Sequence, residues 1–509
     1  MTDLPDDVDQ LKAMLLQLQA ENGSLKEALH TQAEAVVELE NRLQLLIEQL
    51  NLSTSRRFSA QSEHVPKGTF NEAEQQHAIS KPAPAHHKKG RKPLPKALER
   101  DVHTHTLNAP HCECCGHELH PCGVETSEQL KIIPQHVSVI RHERTKYACR
   151  HCESTEMRSK IVTAPKPPSM IPKSIGCPET FAAVVTAKYV DALPLYRQEE
   201  ILKRSDIELS RTTLANWCVQ LGSKVGVIIE AMKGHLLAEP LICADETTVQ
   251  VLNEPDRKAQ SQSYMWVYRS GEFEADPVVI YDYQPSRAGL CVQHFLGDYA
   301  GYLLTDGYAG YDTLKTVTQA GCWAHARRYF VDAQKSQPKK KAGRVEKALN
   351  YLGKLYGVER EAKALSPDER QALRQKKAVP VLNEFYQWLV ETQPGVVPKS
   401  TLGKAVNYTL NQWMKLQTYL EDGRLSIDNN VTERDVRPFT TGRKNWMFSQ
   451  SVGGAIASAN LYSLVMTCRA NDLNPYYYFM HLFRELPKRT SNDDLNDLLP
   501  WNVVISEAE

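Results

Sequence analysis

The stretch Leu241-Ile-Cys-Ala-Asp245-Glu-Thr-Thr-Val-Gln-Val-Leu252 is a β-rich apolar run interrupted by carboxylates, and its composition predicts a strand. Outward from it, Tyr264-Met-Trp-Val-Tyr268 and Val278-Val-Ile-Tyr281 read as two more strands, and Ala288 to Leu296 as an amphipathic helix. Gly301-Tyr-Leu-Leu-Thr-Asp306 reads as a fourth strand and Val317-Thr-Gln-Ala-Gly-Cys322 as a fifth. Three strands, a helix, a strand, a helical turn and a strand is the order of an RNase H-like α/β core. Asp245 then lies on the first strand and Asp306 at the end of the fourth.

A third acid, Glu433, sits in Ser426-Ile-Asp-Asn-Asn-Val-Thr-Glu433-Arg-Asp-Val-Arg-Pro438. Here Asp428 or Asn429 can cap a short helix that Pro438 stops. Ionised carboxylates at buried strand ends are costly unless a cation offsets them, so the three acids read as a site for Mg²⁺ or Mn²⁺. Two such ions roughly 3.5 to 4 Å apart activate an attacking oxygen and stabilise a leaving one, which implies metal-assisted attack on a phosphodiester. Glu246 is set aside as a ligand, because adjacent strand residues point to opposite faces. His325, just after the fifth strand, can orient water or carry a proton. Arg443 and Lys444, with Arg327, Arg328, Arg434 and Arg437, can hold phosphates.

Five ordered motifs surround these residues: Ala244-Asp245-Glu246-Thr247, Thr305-Asp306-Gly307-Tyr308, Cys322-Trp-Ala-His325-Ala-Arg-Arg-Tyr-Phe330, Asn429-Asn-Val-Thr-Glu433-Arg, and Thr441-Gly-Arg-Lys-Asn-Trp-Met-Phe448. Together they closely resemble the insertion-sequence-66 family of bacterial DDE transposases, over nearly the whole chain. The resemblance implies an enzyme that binds an element's terminal inverted repeats, cuts at its ends and joins the 3′-hydroxyls to target DNA. Asp245, Asp306 and Glu433 would be its metal-binding triad. It also implies a helical insertion ahead of Glu433 and companion proteins from the same element.

The N-terminal part carries other modules. With Leu4 as d, the d positions run Leu4, Leu11, Leu18, Leu25, Gln32, Leu39, Leu46 and the a positions Val8, Leu15, Asn22, Leu29, Val36, Leu43, Leu50. A 3.5-residue repeat of this kind predicts a coiled coil and hence a homo-oligomer. A Pro- and Lys-rich linker follows, with Lys88, Lys89, Arg91 and Lys92 as phosphate contacts. Cys112 and Cys115, then Cys149 and Cys152, form paired C-x-x-C knuckles suited to one tetrahedral Zn²⁺, with strands expected at Ser138–Ile140 and Lys146–Ala148. Cys114 and Cys122 lie nearby and leave the ligand set open. The stretch resembles the zinc-binding domain of the same family. Tyr196 to Arg204, a turn, and Ser210 to Leu221 match a helix-turn-helix with Ser210 as N-cap and Leu214, Trp217 and Leu221 facing the core. Arg211, Thr212, Thr213 and Asn216 are then the candidates for base readout.

The organisation expected is a multidomain α+β chain of 509 residues. It comprises a coiled coil (1–52), basic linker (53–108), zinc ribbon-like module (109–155), helix-turn-helix region (156–232), first part of the catalytic core (233–334), polar helical insertion (335–425), final part of the core with Glu433 (426–470) and a C-terminal region (471–509). The formal net charge is zero, but basic residues cluster at 81–100 and 335–347. No apolar run is long enough to span a membrane, and the acidic start Met1-Thr-Asp-Leu-Pro-Asp-Asp is unlike a signal peptide. A cytoplasmic, nucleoid-associated protein with reduced thiols is expected. A nuclease of the same core that does not join strands is disfavoured by the coiled coil, which suits pairing two DNA ends. A catalytically silent DNA-binding relative is disfavoured by the intact acids.

Overall fold

The computed structural model describes residues 7–58, 137–147, 162–337, 343–490 and 493–505. The chain divides into two compact units, Ala78–Lys166 and the remainder, Met1–His77 with Pro167–Glu509. In the smaller unit the described backbone forms one antiparallel ladder, β1 (Lys146–Tyr147) with β2 (Val162–Thr163). Ser138–Ile140, expected as a strand, pairs with nothing among the described residues; Val139 is 92% exposed, so no packing favours a ladder there.

In the larger unit α1 (Val8–Phe58) is one continuous helix. Its seam side chains Leu15, Leu18, Leu25, Leu29, Leu39 and Leu46 stand exposed. Its C-terminal part is fastened to the body: Thr401 N donates to Glu48 Oε2 at 2.8 Å, and Asn51 Nδ2 donates to Ser336 O at 3.0 Å. Helices α2 (Pro178–Tyr189), α3 (Leu195–Lys203), α4 (Arg211–Lys224) and α5 (Gly226–Ala238) follow. Ser210 accepts from Thr213 N at 3.2 Å and starts α4, whose Leu214, Trp217 and Leu221 are buried.

The sheet is built from β3 (Leu241–Asn253), β4 (Gln262–Ser270), β5 (Val279–Gln284), β6 (Tyr302–Thr305) and β7 (Thr318–Gly321), with α6 (Gly289–Leu296) between β5 and β6. Its order is β5-β4-β3-β6-β7, antiparallel on the β4–β5 side and parallel from β3 through β6 to β7. The short β8 (Ser449–Ser451) pairs in parallel with the far end of β3. After β7 come α7 (Trp323–Ser336), α8 (Arg344–Ala362), α9 (Pro367–Thr392), α10 (Thr401–Asn411) and α11 (Trp413–Gln417). The chain then forms α12 (Asn430–Trp446), α13 (Val452–Ala470) and α14 (Pro475–Glu485). The result is a mixed α+β fold with a helical N-terminus. No described helix is long and apolar enough to cross a membrane.

Two apolar cores flank the sheet. One joins Phe181, Trp217, Trp266, Tyr281, Tyr462 and Phe479, so the helices at 178–238 share their packing with the strands and with α13 and α14. The other joins Leu304, Trp323, Leu352, Tyr356, Phe385 and Trp413. Residues 343–417 are helical, but they are not polar throughout; the aromatic side chains bury themselves against α7 and the strand face under it.

One boundary is corrected by the structure. Pro438 does not stop the helix carrying Glu433, which continues to Trp446. Proline removes the N–H that Arg434 O would accept. Arg434 lies on the exposed face, where water can take its carbonyl.

Candidate active site

The register of the parallel strands brings two of the acids together. Cys243 on β3 pairs with Leu304 on β6. Two residues further along each strand, Asp245 therefore comes level with Asp306. Asp306 Oδ1 accepts from Tyr308 N at 2.9 Å, which turns the chain sharply out of β6. Gly307 permits this turn to pass under Tyr408 of α10; a Cβ there would stand 2.8 Å from the ring.

Asp245 is held on β3 among other acids. Burial pushes its pKa well above the ordinary value, and the negative charges of Glu246, Glu433 and Asp306 push in the same direction. Its Oδ1 accepts from Glu246 N at 2.8 Å. No Lys or Arg forms a salt bridge with Asp245 or Asp306 among the described residues.

Glu433 lies in the first turn of α12, where the helix dipole favours a negative charge. Arg328 Nη2 donates to its two oxygens at 3.1 and 3.0 Å, and His325 Nε2 is 3.7 Å from Oε1. Both partners come from α7, three residues apart on one face. Desolvation and the Arg328 charge lower the pKa of His325, against the opposing charges of Glu433 and Asp306, which favours the neutral ring. Its Nδ1 is buried and makes no hydrogen bond among the described residues. The acids are thus in electrostatic range of one another, yet no three His, Cys, Asp or Glu side chains close into a metal-binding group among the described residues.

Glu246 points elsewhere. Arg287 Nε donates to its Oε1 at 2.6 Å and Tyr311 OH to its Oε2 at 2.8 Å, while the Arg287 guanidinium lies 3.7 Å from the centre of the Tyr308 ring. This clamp fixes the turn after Asp306 against β3. Arg443, further along α12, donates to Thr248 Oγ1 at 3.0 Å, and Lys444 beside it is exposed.

Other expected residues lie apart from the acids. Arg211, Thr212 and Asn216 are exposed on α4, while Thr213 is half-buried and its hydroxyl lies 3.0 Å from Ser210 Oγ. Cys112, Cys115, Cys149 and Cys152, and Lys88, Lys89, Arg91 and Lys92, lie outside the described residues.

Asn429 is read from the sequence as a possible helix cap and as the start of one resemblance motif, but not as a site residue. It is buried, and its side chain makes no capping bond to α12. Instead Nδ2 donates to Ala244 O at 2.9 Å, Oδ1 accepts from Thr432 Oγ1 at 2.6 Å, and its backbone N–H reaches Cys322 Sγ at 3.2 Å. The only local signal is the Asn-Asn pair ahead of Glu433.

A family model for the IS66 transposase family matches residues 173–485, more than half of the chain, and one for the zinc-finger binding domain of transposase IS66 matches residues 110–153. The chain is 30% identical to the uncharacterized protein y4jD of Sinorhizobium fredii, over 98% of this chain and 97% of that protein. It is 28% identical to y4qI of the same organism, over 99% and 98%, and 30% identical to y4hP, over 81% and 76%.

Proposed function

The chain belongs to the IS66 transposase family, and from that premise we propose that it is a DNA transposase that cuts the ends of an insertion element and joins them to target DNA. The observation that carries this reading is the placement of Asp245 on β3 beside Asp306, the residue that follows β6, with Glu433 in electrostatic range. The strand order around them supports an RNase H-like core.

The donor set suits a hard divalent ion such as Mg²⁺ or Mn²⁺. It offers carboxylate oxygens only, and the two aspartates are paired with no cationic side chain among the described residues. Such ions, when bound, would polarise the scissile phosphate and activate the attacking hydroxyl. Asp245 and Asp306 would hold them from the sheet and Glu433 from α12. His325, beside Glu433 and favoured as the neutral ring, can accept a proton from a hydroxyl or water. Arg443 and Lys444 would contact the phosphates that run along α12.

The remaining modules support DNA handling. The exposed leucine seam of α1 would pair with a second copy, so that two ends are held in one assembly. Arg211, Thr212, Thr213 and Asn216 would read bases from α4, and the basic linker would neutralise phosphates. Cys112, Cys115, Cys149 and Cys152, within the matched zinc-finger domain, would hold a structural Zn²⁺. The test is a strand-transfer assay with labelled element ends and Mg²⁺. Joined product that disappears in Asp306→Asn is expected; equal joining by that variant would sink the assignment.

A further inference from the structure

We infer that Asn429 is a positioning residue that sets Asp245, His325 and Glu433 in one arrangement by bonding to all three elements that carry them. The inference rests on the reading of those acids as the reactive site and adds a residue to it. Asn429 is 3% exposed and lies in the loop entering α12. Its Nδ2 holds the carbonyl of Ala244, the residue immediately before Asp245, at 2.9 Å. Its Oδ1 receives the hydroxyl of Thr432, immediately before Glu433, at 2.6 Å. Its backbone N–H donates to Sγ of Cys322, which opens α7 three residues ahead of His325. The same loop is tied to α7 a second time, since Trp323 N donates to Ile427 O at 3.1 Å.

The amide is suited to this place because one planar group supplies both a donor and an acceptor. An aspartate could not donate to Ala244 O and would add charge beside buried acids. An alanine would leave a buried carbonyl and a buried hydroxyl without partners. The side chain makes no bond to a backbone N–H of α12; its oxygen holds the Thr432 hydroxyl in the first turn while its nitrogen reaches across to β3. Partners that orient metal-binding side chains typically change metal affinity or activity by about 10- to 100-fold when removed.

The experiment uses the full chain with Asn429→Ala, Thr432→Val and the double variant, the valine keeping the shape of threonine and deleting only its hydroxyl. Mn²⁺ affinity is read by titration calorimetry, and kcat and KM by cleavage of labelled element ends, well below each variant's unfolding temperature. The expected result for Asn429→Ala is about tenfold or greater weakening of Mn²⁺ and a comparable fall in kcat, with KM for DNA unchanged. Thr432→Val should shift both in the same direction, and the double variant should be no worse than Asn429→Ala, because the two act through one amide. Wild-type Mn²⁺ affinity and kcat in Asn429→Ala overturn the inference, as do the same values in Thr432→Val if the alanine variant fails to fold. Additive losses in the double variant also overturn it. Asp245→Asn separates the two readings: if it abolishes cleavage while the Asn429 and Thr432 variants behave as wild type, only the positioning role falls. If the wild-type chain neither binds Mn²⁺ nor cuts, both fall.

Discussion

Arg328 reaches across from α7 to α12 and places one guanidinium nitrogen 3.1 and 3.0 Å from the two oxygens of Glu433. The contact joins the helix bearing His325 to the one bearing the third acid, and it occupies the carboxylate proposed to hold a metal. The Arg328 side chain is half exposed, so the pair should contribute at most about 1 kcal/mol to stability. Arg328→Ala is therefore expected to leave the urea midpoint nearly unchanged while tightening Mn²⁺ binding, because a competing cation is removed. Weaker Mn²⁺ binding in a calorimetric titration would show that Arg328 instead orients Glu433 for the ion.

Asp245 should trade stability for function. Its folded-state pKa is raised by burial and by neighbouring acids, so the folded form binds the proton more tightly than the unfolded chain. Its contribution is then most favourable at low pH and is lost as pH rises. In the presence of chelator, Asp245→Asn should melt higher than wild type at pH 8 while losing cleavage and joining; Mg²⁺ should raise the melting temperature of wild type only. A variant that melts lower, measured by scanning calorimetry with chelator, would contradict the uncompensated-charge picture.

Asp428 offers a pH signature within an accessible range. Burial raises its pKa from 3.8 to about 7, against the lowering effect of the Tyr356 hydroxyl that donates to Oδ2 at 2.8 Å. Stability from this group is complete below about pH 4 and is lost as pH rises through about 7. Asp428→Asn can keep the acceptor for Asn430 N and turn its amide toward the Tyr356 oxygen, giving up the bond that Asn430 Nδ2 donates to Oδ2 at 2.9 Å. The variant should therefore gain on wild type between pH 4 and 7, by up to a few kcal/mol, since each tenfold difference in proton affinity between the folded and unfolded chain is worth about 1.4 kcal/mol. Parallel stability curves for the two proteins across that range would refute the assignment.

If α1 pairs with a second copy as proposed, charge placed in its exposed seam should dissociate that assembly without disturbing the rest of the fold. Leu18→Glu with Leu25→Glu would bury unpaired charges in any coiled coil, at a cost that no packing offsets. Sedimentation of the full chain should then report monomer, with far-ultraviolet dichroism reduced only by the helical signal of α1. A double variant that sediments as wild type does would rule out the coiled coil as the means of assembly.

Zinc should serve folding of the module at 109–155 rather than chemistry at the acids. Cys149→Ser is expected to lower zinc content in elemental analysis and to weaken binding of element ends. Unchanged zinc stoichiometry would reassign the ligand set, with Cys114 and Cys122 the first alternatives.

The sequence by itself determined what short-range physics controls. The β-branched run around Asp245, the apolar strand ending at Asp306, the Ser210 cap and the Leu214-Trp217-Leu221 spacing are local patterns, and each lies where α4, β3 and β6 form. Family membership was legible for the same reason, since its motifs are contiguous words. Only the tertiary structure decided the rest. That Asp245 stands level with Asp306 depends on the β3–β6 register, and that Glu433 meets Arg328 and His325 depends on how α7 and α12 cross. Asn429 reads locally as a cap, yet besides Thr432 its partners lie 185 residues away at Ala244 and 107 away at Cys322. Pro438 reads as a stop, yet packing of Val436 and Phe439 carries α12 past it. Propensity is a local preference worth up to about 1 kcal/mol per position for most residues and about 3 kcal/mol for proline, whereas burial and long-range hydrogen bonds are settled by the whole fold and overrule it where they disagree.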